Sequence, residues 1–127
     1  MTSPNQSIEA SSALGAFGKA VERLEQVIDL ETQILMENKS ADLREFNHRK
    51  NFGLLELTRT MRALNGMKSE QVRVLLVNLR AKLDRNRKAL DTHLRAVQEI
   101  SAIISKAIRD SESDGTYTVS MGSGYER

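Results

Sequence analysis

The chain has no cysteine, no tryptophan and a single proline in 127 residues. Without cysteine there is neither a disulfide framework nor a thiolate metal site, and a reducing compartment such as the cytoplasm is the expected location. Only five aromatic side chains are present, three Phe and two Tyr. None interleaves with a basic run, so no base-stacking platform for single-stranded nucleic acid is built. No stretch approaches the roughly 20 apolar residues that span a bilayer, and no basic region leads into an apolar run of signal-peptide length. Neither membrane insertion nor general secretion is expected. Charge of neither sign dominates, with 19 basic against 17 acidic residues. The exception is RAKLDRNRK, Arg80 to Lys88, where only Asp84 opposes the basic side chains. On a helix such a run reads as a solvated face, and no nucleic-acid partner is expected.

Catalytic equipment is also missing. There is no Cys nucleophile, no Gly-rich loop between a strand and a helix, and no Ser or His in a catalytic motif. His48 and His93 are the two histidines, and no carboxylate completes a ligand spacing around them, so no metal and no cofactor are expected. These absences exclude the common enzyme classes and leave a binding protein.

What is present is helical periodicity. The only proline is Pro4, and residues 1–7 carry no periodic pattern, so this end reads as disordered, with a helical domain over 8–110 and a flexible tail over 111–127. From Ile8 to about Asn38 the apolar residues Leu14, Phe17, Val21, Leu24, Ile28 and Leu35 form one stripe, widened by Val27 and Ile34. This spacing predicts an amphipathic helix. Gly15 and Gly18 weaken its first turns by up to about 1 kcal/mol each relative to Ala. NKSAD, Asn38 to Asp42, is a break, and Asp42 followed by Glu45 is a variant of the capping box. A second helix carries Leu43, Phe46, Leu54, Leu57, Met61 and Leu64, with Lys50 and Gly53 interrupting the stripe. NGMKS, Asn65 to Ser69, supplies a C-terminal Gly signal and a Ser cap for the next helix. The third helix is the longest, from about Ser69 to Arg109. Its seam is Val72, Leu76, Leu79, Leu83, Asn86, Leu90, His93, Val97, Ile100 and Ile104, with gaps alternating between four and three. That is a coiled-coil period. The fold expected is all-α, an elongated antiparallel three-helix bundle with a long third helix.

Helix lengths turn this fold into a functional expectation. At 1.5 Å per residue the third helix extends about 60 Å and the second about 36 Å. The second then covers the third only as far as about Leu90. Val97, Ile100, Ile103, Ile104 and Ile108 are left without intramolecular cover, at a cost of about 1.5 to 3 kcal/mol apiece in unrealised burial. Such a surface calls for a partner, and an amphipathic helix is the kind that fits. Asn86 and His93 are polar residues in the apolar seam and read as register devices. Beyond Ser111 the composition changes to Ser, Gly and Asp, with Tyr117, Val119, Met121 and Tyr125 more apolar than a solubility tail requires. Tyr117 is a candidate anchor for a recognition segment.

A helix, then a D-L-x-x-F start (Asp42, Leu43, Phe46) with Lys50 one heptad on from Leu43, then a long helix bearing L-x-x-N-x-x-x-L (Leu83, Asn86, Leu90), and a tail with Tyr117 ahead of Gly122 and Gly124 together resemble the FlgN family of flagellar export chaperones. The resemblance covers roughly Val21 to Gly124 and rests mainly on the order of these features. It implies a cytoplasmic helical chaperone without ATPase activity. Its clients would be the hook-filament junction proteins, the flagellar hook-associated proteins, whose terminal helices otherwise self-associate. It would deliver them to the flagellar type III export gate, with Tyr117 as the contact to that gate. Two other classes fit the same residues: a structural coiled-coil protein that buries the isoleucines in a homodimer, and a small nucleic-acid binder using Arg80 to Lys88.

Overall fold

A computed structural model describes the backbone of residues 4–66 and 69–120, and the side chains of residues 11–66 and 69–113. All regular structure among them is helical, in three elements: α1 (Pro4–Met36), α2 (Leu43–Ala63) and α3 (Glu70–Ser120). Helix α1 begins earlier than the sequence pattern suggests, which corrects the disordered assignment for residues 4–7. A proline in the first turn loses no hydrogen bond, since its missing N–H would have had no helical acceptor. Helix α3 likewise passes Arg109, where the apolar seam gives out, and continues to Ser120. Once nucleated, a helix needs only one further hydrogen bond per residue to propagate, and no proline stops it. The expected tail from Ser111 is therefore helical backbone to Ser120, and residues 121–127 lie outside the described residues.

Each junction has its own chemistry. Asn38 closes α1 in the left-handed region, at φ 57°. Its N–H donates to Leu35 O and the Lys39 N–H donates to Ile34 O, the paired bonds of a Schellman motif with Asn in the usual glycine position. Asp42 caps α2, its Oδ1 accepting from the Glu45 N–H at 3.1 Å. Asn65 and Gly66 both take positive φ after α2. Ser69 Oγ then accepts from the Val72 N–H at 3.1 Å and caps α3. Both caps lie where the sequence places them.

The chain divides into two compact units, Met1–Leu90 and Asp91–Arg127. The first is a three-helix bundle. Its core is Phe17, Val21, Leu24 and Ile28 from α1, Leu57 and Leu64 from α2 and its C-cap, and Leu79 from α3, with Leu14, Val72, Leu75, Leu76 and Leu83 packed around it. The contacts give the directions. Arg23 approaches Glu56 while Glu31 meets Lys50, so α1 and α2 are antiparallel. Lys82 meets Asp29 while Asn86 meets Glu31, so α1 and α3 are parallel. Gly53 lets α2 lie close against α1, since a Cβ there would sit 2.9 Å from Leu24 Cδ1. Leu54 and Met61, expected on the buried stripe of α2, are exposed. Phe46, Leu57 and Leu64 of that stripe are buried as expected and Gly53 joins them, because the close approach at the glycine fixes which side of α2 turns inward. In the second unit no described side chain is buried.

Candidate functional site

Two features of this structure are chemically unusual: a buried polar layer in the first unit and an uncovered apolar strip in the second. The polar layer is built from one interruption in the apolar stripe of each helix. Glu31 of α1 is fully buried, and Asn86 of α3 is nearly so. Lys50 of α2 donates from Nζ to Glu31 Oε1 at 2.7 Å and to Asn86 Oδ1 at 3.3 Å. Asn86 Nδ2 donates to the same Glu31 oxygen at 2.9 Å and to Thr32 Oγ1 at 3.1 Å. Thr32 donates its own hydroxyl hydrogen to Ile28 O at 2.8 Å. Glu31 Oε2 is buried with no partner among the described residues.

Buried charges are tolerable only when paired and hydrogen-bonded, and this layer meets that demand for every polar atom but one. A shift of one helix by a turn would leave a carboxylate or an ammonium in an apolar environment. The layer therefore fixes the mutual register of all three helices, as a polar residue in a coiled-coil seam does. Asn86 bonds to side chains of both other helices, Lys50 of α2 and Glu31 and Thr32 of α1. His93 is half-buried in the second unit and does not belong to the layer. Glu31 and Thr32 are members that the sequence reading does not single out. A signal for them exists in the seven-residue gap between Ile28 and Leu35, whose midpoint is occupied by polar residues just as the α3 seam is at Asn86.

The apolar strip lies on α3. Val97, Ile100, Ile103, Ile104 and Ile108 are all exposed, Ile103 at 67%, and Leu94 joins them. Charge along it is sparse. Between Arg95 and Lys106 the only ionisable side chain is Glu99, and Lys106 is engaged by Asp110 at 3.0 Å on its own helix. Exposed apolar surface of this kind is uncommon on monomeric proteins. Tyr117 belongs to the helical backbone, but its side chain lies outside the described ones, as does the chain from residue 121.

The basic run Arg80 to Lys88 is partly committed to the fold. Lys82 Nζ lies 2.9 Å from Asp29 Oδ2 and 3.7 Å from Glu25 Oε1, and the hydrogen bond to Asp29, helped by both negative charges, raises its pKa above the ordinary lysine value. The other basic side chains of the run, Arg80, Arg85, Arg87 and Lys88, are exposed. Among the described residues no cluster of His, Asp and Glu is arranged to hold a metal ion, and no helix is long and apolar enough to cross a membrane. Compared with known proteins, the chain matches no family model, no curated protein and no solved structure.

Proposed function

We propose that this chain is a non-enzymatic, cofactor-free cytoplasmic chaperone of type III export. It binds helical terminal segments of flagellar hook-associated proteins, keeps them unassembled and delivers them to the export gate. The observation that supports this reading is the strip Val97, Ile100, Ile103, Ile104 and Ile108, which leaves large aliphatic side chains in water on a regular helix. A client helix with an apolar face packs against such a strip as one helix packs in another's groove. The three-helix bundle serves as the scaffold of the chaperone, and Tyr117 is the residue assigned to the export gate. The resemblance of the sequence to FlgN-type chaperones supplies the client class.

The same strip also supports a structural coiled-coil homodimer, formed when client is absent. One double substitution separates the readings. Ile100→Glu with Ile104→Glu places carboxylates where an apolar face must sit, and burying unpaired carboxylates is costly enough to abolish a micromolar contact. Capture of a hook-associated protein's terminal segment should be lost while melting stays unchanged and the protein sediments as a monomer throughout. A dimer that becomes a monomer on substitution supports the structural reading. Undiminished client capture by the variant would overturn the chaperone site. Truncation at Ser111 should spare client capture and weaken delivery.

A further inference from the structure

The outer face of α2 carries a second seam that the bundle does not use. His48, Phe52, Leu55 and Arg59 follow one another at steps of four, three and four, the spacing of a helix-packing stripe. Phe52 is 61% exposed and Leu55 69%, the latter the most exposed large hydrophobic residue described. Neither is needed for the core, which α2 fills from Phe46, Gly53 and Leu57. Beside Phe52 the surface is concave. A groove of 220 Å³ runs between α1 and α2, lined by Leu24, Val27 and Gly53 together with the charged side chains Arg23, Arg49 and Glu56. Gly53, where α2 approaches Leu24 of α1 closely, is part of its lining.

The charge around this seam is predominantly of one sign. Helix α2 bears Arg44, Arg49, Lys50, Arg59 and Arg62 against Glu45 and Glu56. Lys50 is turned inward to Glu31, and Glu56 is already shared between Arg23 at 4.0 Å and Arg59 at 3.7 Å. Arg44, Arg49 and Arg62 form no salt bridge among the described residues, and Arg49 lies over the Phe46 ring at 5.8 Å. Two apolar anchors ringed by arginines differ in kind from the α3 strip, which is long and nearly free of charge. Arginine and aromatic side chains are also the groups that dominate binding energy at interfaces.

We propose that the outer face of α2 is a second docking surface, distinct from the α3 strip, and that its occupant is an acidic amphipathic helix of another protein. The partner's apolar side chains would cover Phe52 and Leu55, one of them entering the groove beside Gly53, and its carboxylates would meet Arg49, Arg59 and Arg62. A second copy of this chain is disfavoured, because two such faces set arginines against arginines. This inference does not depend on the chaperone reading.

The test uses the full chain and two synthetic three-heptad peptides with leucine at the seam positions, one flanked by glutamate and the other by lysine. On titration, the glutamate peptide should shift the backbone amide resonances of residues 48–59, and raising the salt concentration should weaken binding roughly tenfold, as for an electrostatically complementary interface. Phe52→Ala with Leu55→Ala should weaken it by about tenfold or more. Ile100→Glu with Ile104→Glu should leave it unchanged, which separates this surface from the proposed client strip. Shifts confined to residues 97–108, equal binding of the lysine peptide, or no binding at all would overturn the proposal. So would a dimer in sedimentation that the Phe52→Ala, Leu55→Ala variant abolishes, since the occupant would then be a second copy.

Discussion

Leu79 and Ile104 occupy the same seam of the same helix, yet Leu79 is 3% exposed and Ile104 is 52% exposed. The heptad spacing that leads to both is unbroken, so periodicity alone does not determine burial. It defines a face, and the supply of partner helices decides what becomes of it. In the first unit that supply is complete, since α1 runs beside α3 as far as the contact of Glu31 with Asn86 and α2 closes the third side through Lys50. In the second unit the seam continues in sequence, and its isoleucines remain in water. The first unit thus commits its stretch of the α3 seam to its own stability, and the second leaves its stretch uncovered.

The sharpest way to break this contrast is at the polar layer. Lys50→Ala removes the ammonium from Glu31 and leaves a buried carboxylate held by Asn86 alone, which should cost about 3 to 5 kcal/mol in urea denaturation followed by circular dichroism. Replacing Glu31, Lys50 and Asn86 together by Leu, Met and Leu should recover most of that loss, because the cost lies in the unpaired charge. Next in size is the seam itself. Leu79→Ala should lower stability by about 2 to 5 kcal/mol, whereas Ile104→Ala should change it by less than about 0.5 kcal/mol. Equal effects at the two positions would mean that Ile104 is buried in solution.

Glycines sharpen the contrast at a smaller scale. A methyl group added at Gly18 would find nothing within 4 Å, whereas one added at Gly53 would meet Leu24. Gly18→Ala should therefore raise stability by up to about 1 kcal/mol, the helix-propensity gain. Gly53→Ala gains the same propensity but must push Leu24 out of a packed core, at about 1 to 3 kcal/mol, so the net effect should be destabilising. Thermal melts of the two variants should move in opposite directions. The smallest effect expected is a pH dependence at Lys82. Its pKa is raised in the folded state, first by the hydrogen bond to Asp29, so its contribution is fully present below the unfolded lysine value of about 10.4 and is lost as pH rises through the higher folded value. The side chain is about a third exposed, and the pair is worth only a few tenths of a kcal/mol, roughly, after solvent screening. Lys82→Met should flatten this alkaline limb of the stability profile.

Much of the fold is legible because its signals are local. Asp42 and Ser69 cap helices where capping residues stand next to an apolar stripe, and the stripes of α1 and α3 predict Phe17, Val21, Leu24, Ile28 and Leu79 as interior. The α2 stripe is less legible. Leu54 and Met61 satisfy the helical period but point away from the core, because the close approach at Gly53 rotates the buried side, and no local pattern encodes a distance between helices. The polar layer is half legible. Asn86 and Lys50 stand out as interruptions, but that they meet, and that Glu31 joins them, depends on the parallel pairing of α1 with α3, which is a property of the assembled bundle.

The position of Glu31 also constrains the order in which the bundle can form. Its carboxylate accepts from Asn86, 55 residues further along the chain, and from Lys50, 19 residues along, so closing the first loop costs more chain entropy than closing the second. In a pair of α1 and α2 without α3, Glu31 and Lys50 would still be hydrated. The arrival of α3 strips their water and supplies the amide that replaces it in the same event. Dehydration of the carboxylate is in this way coupled to the step that completes the fold, and a partly assembled chain is not required to hold a dry, unsolvated charge.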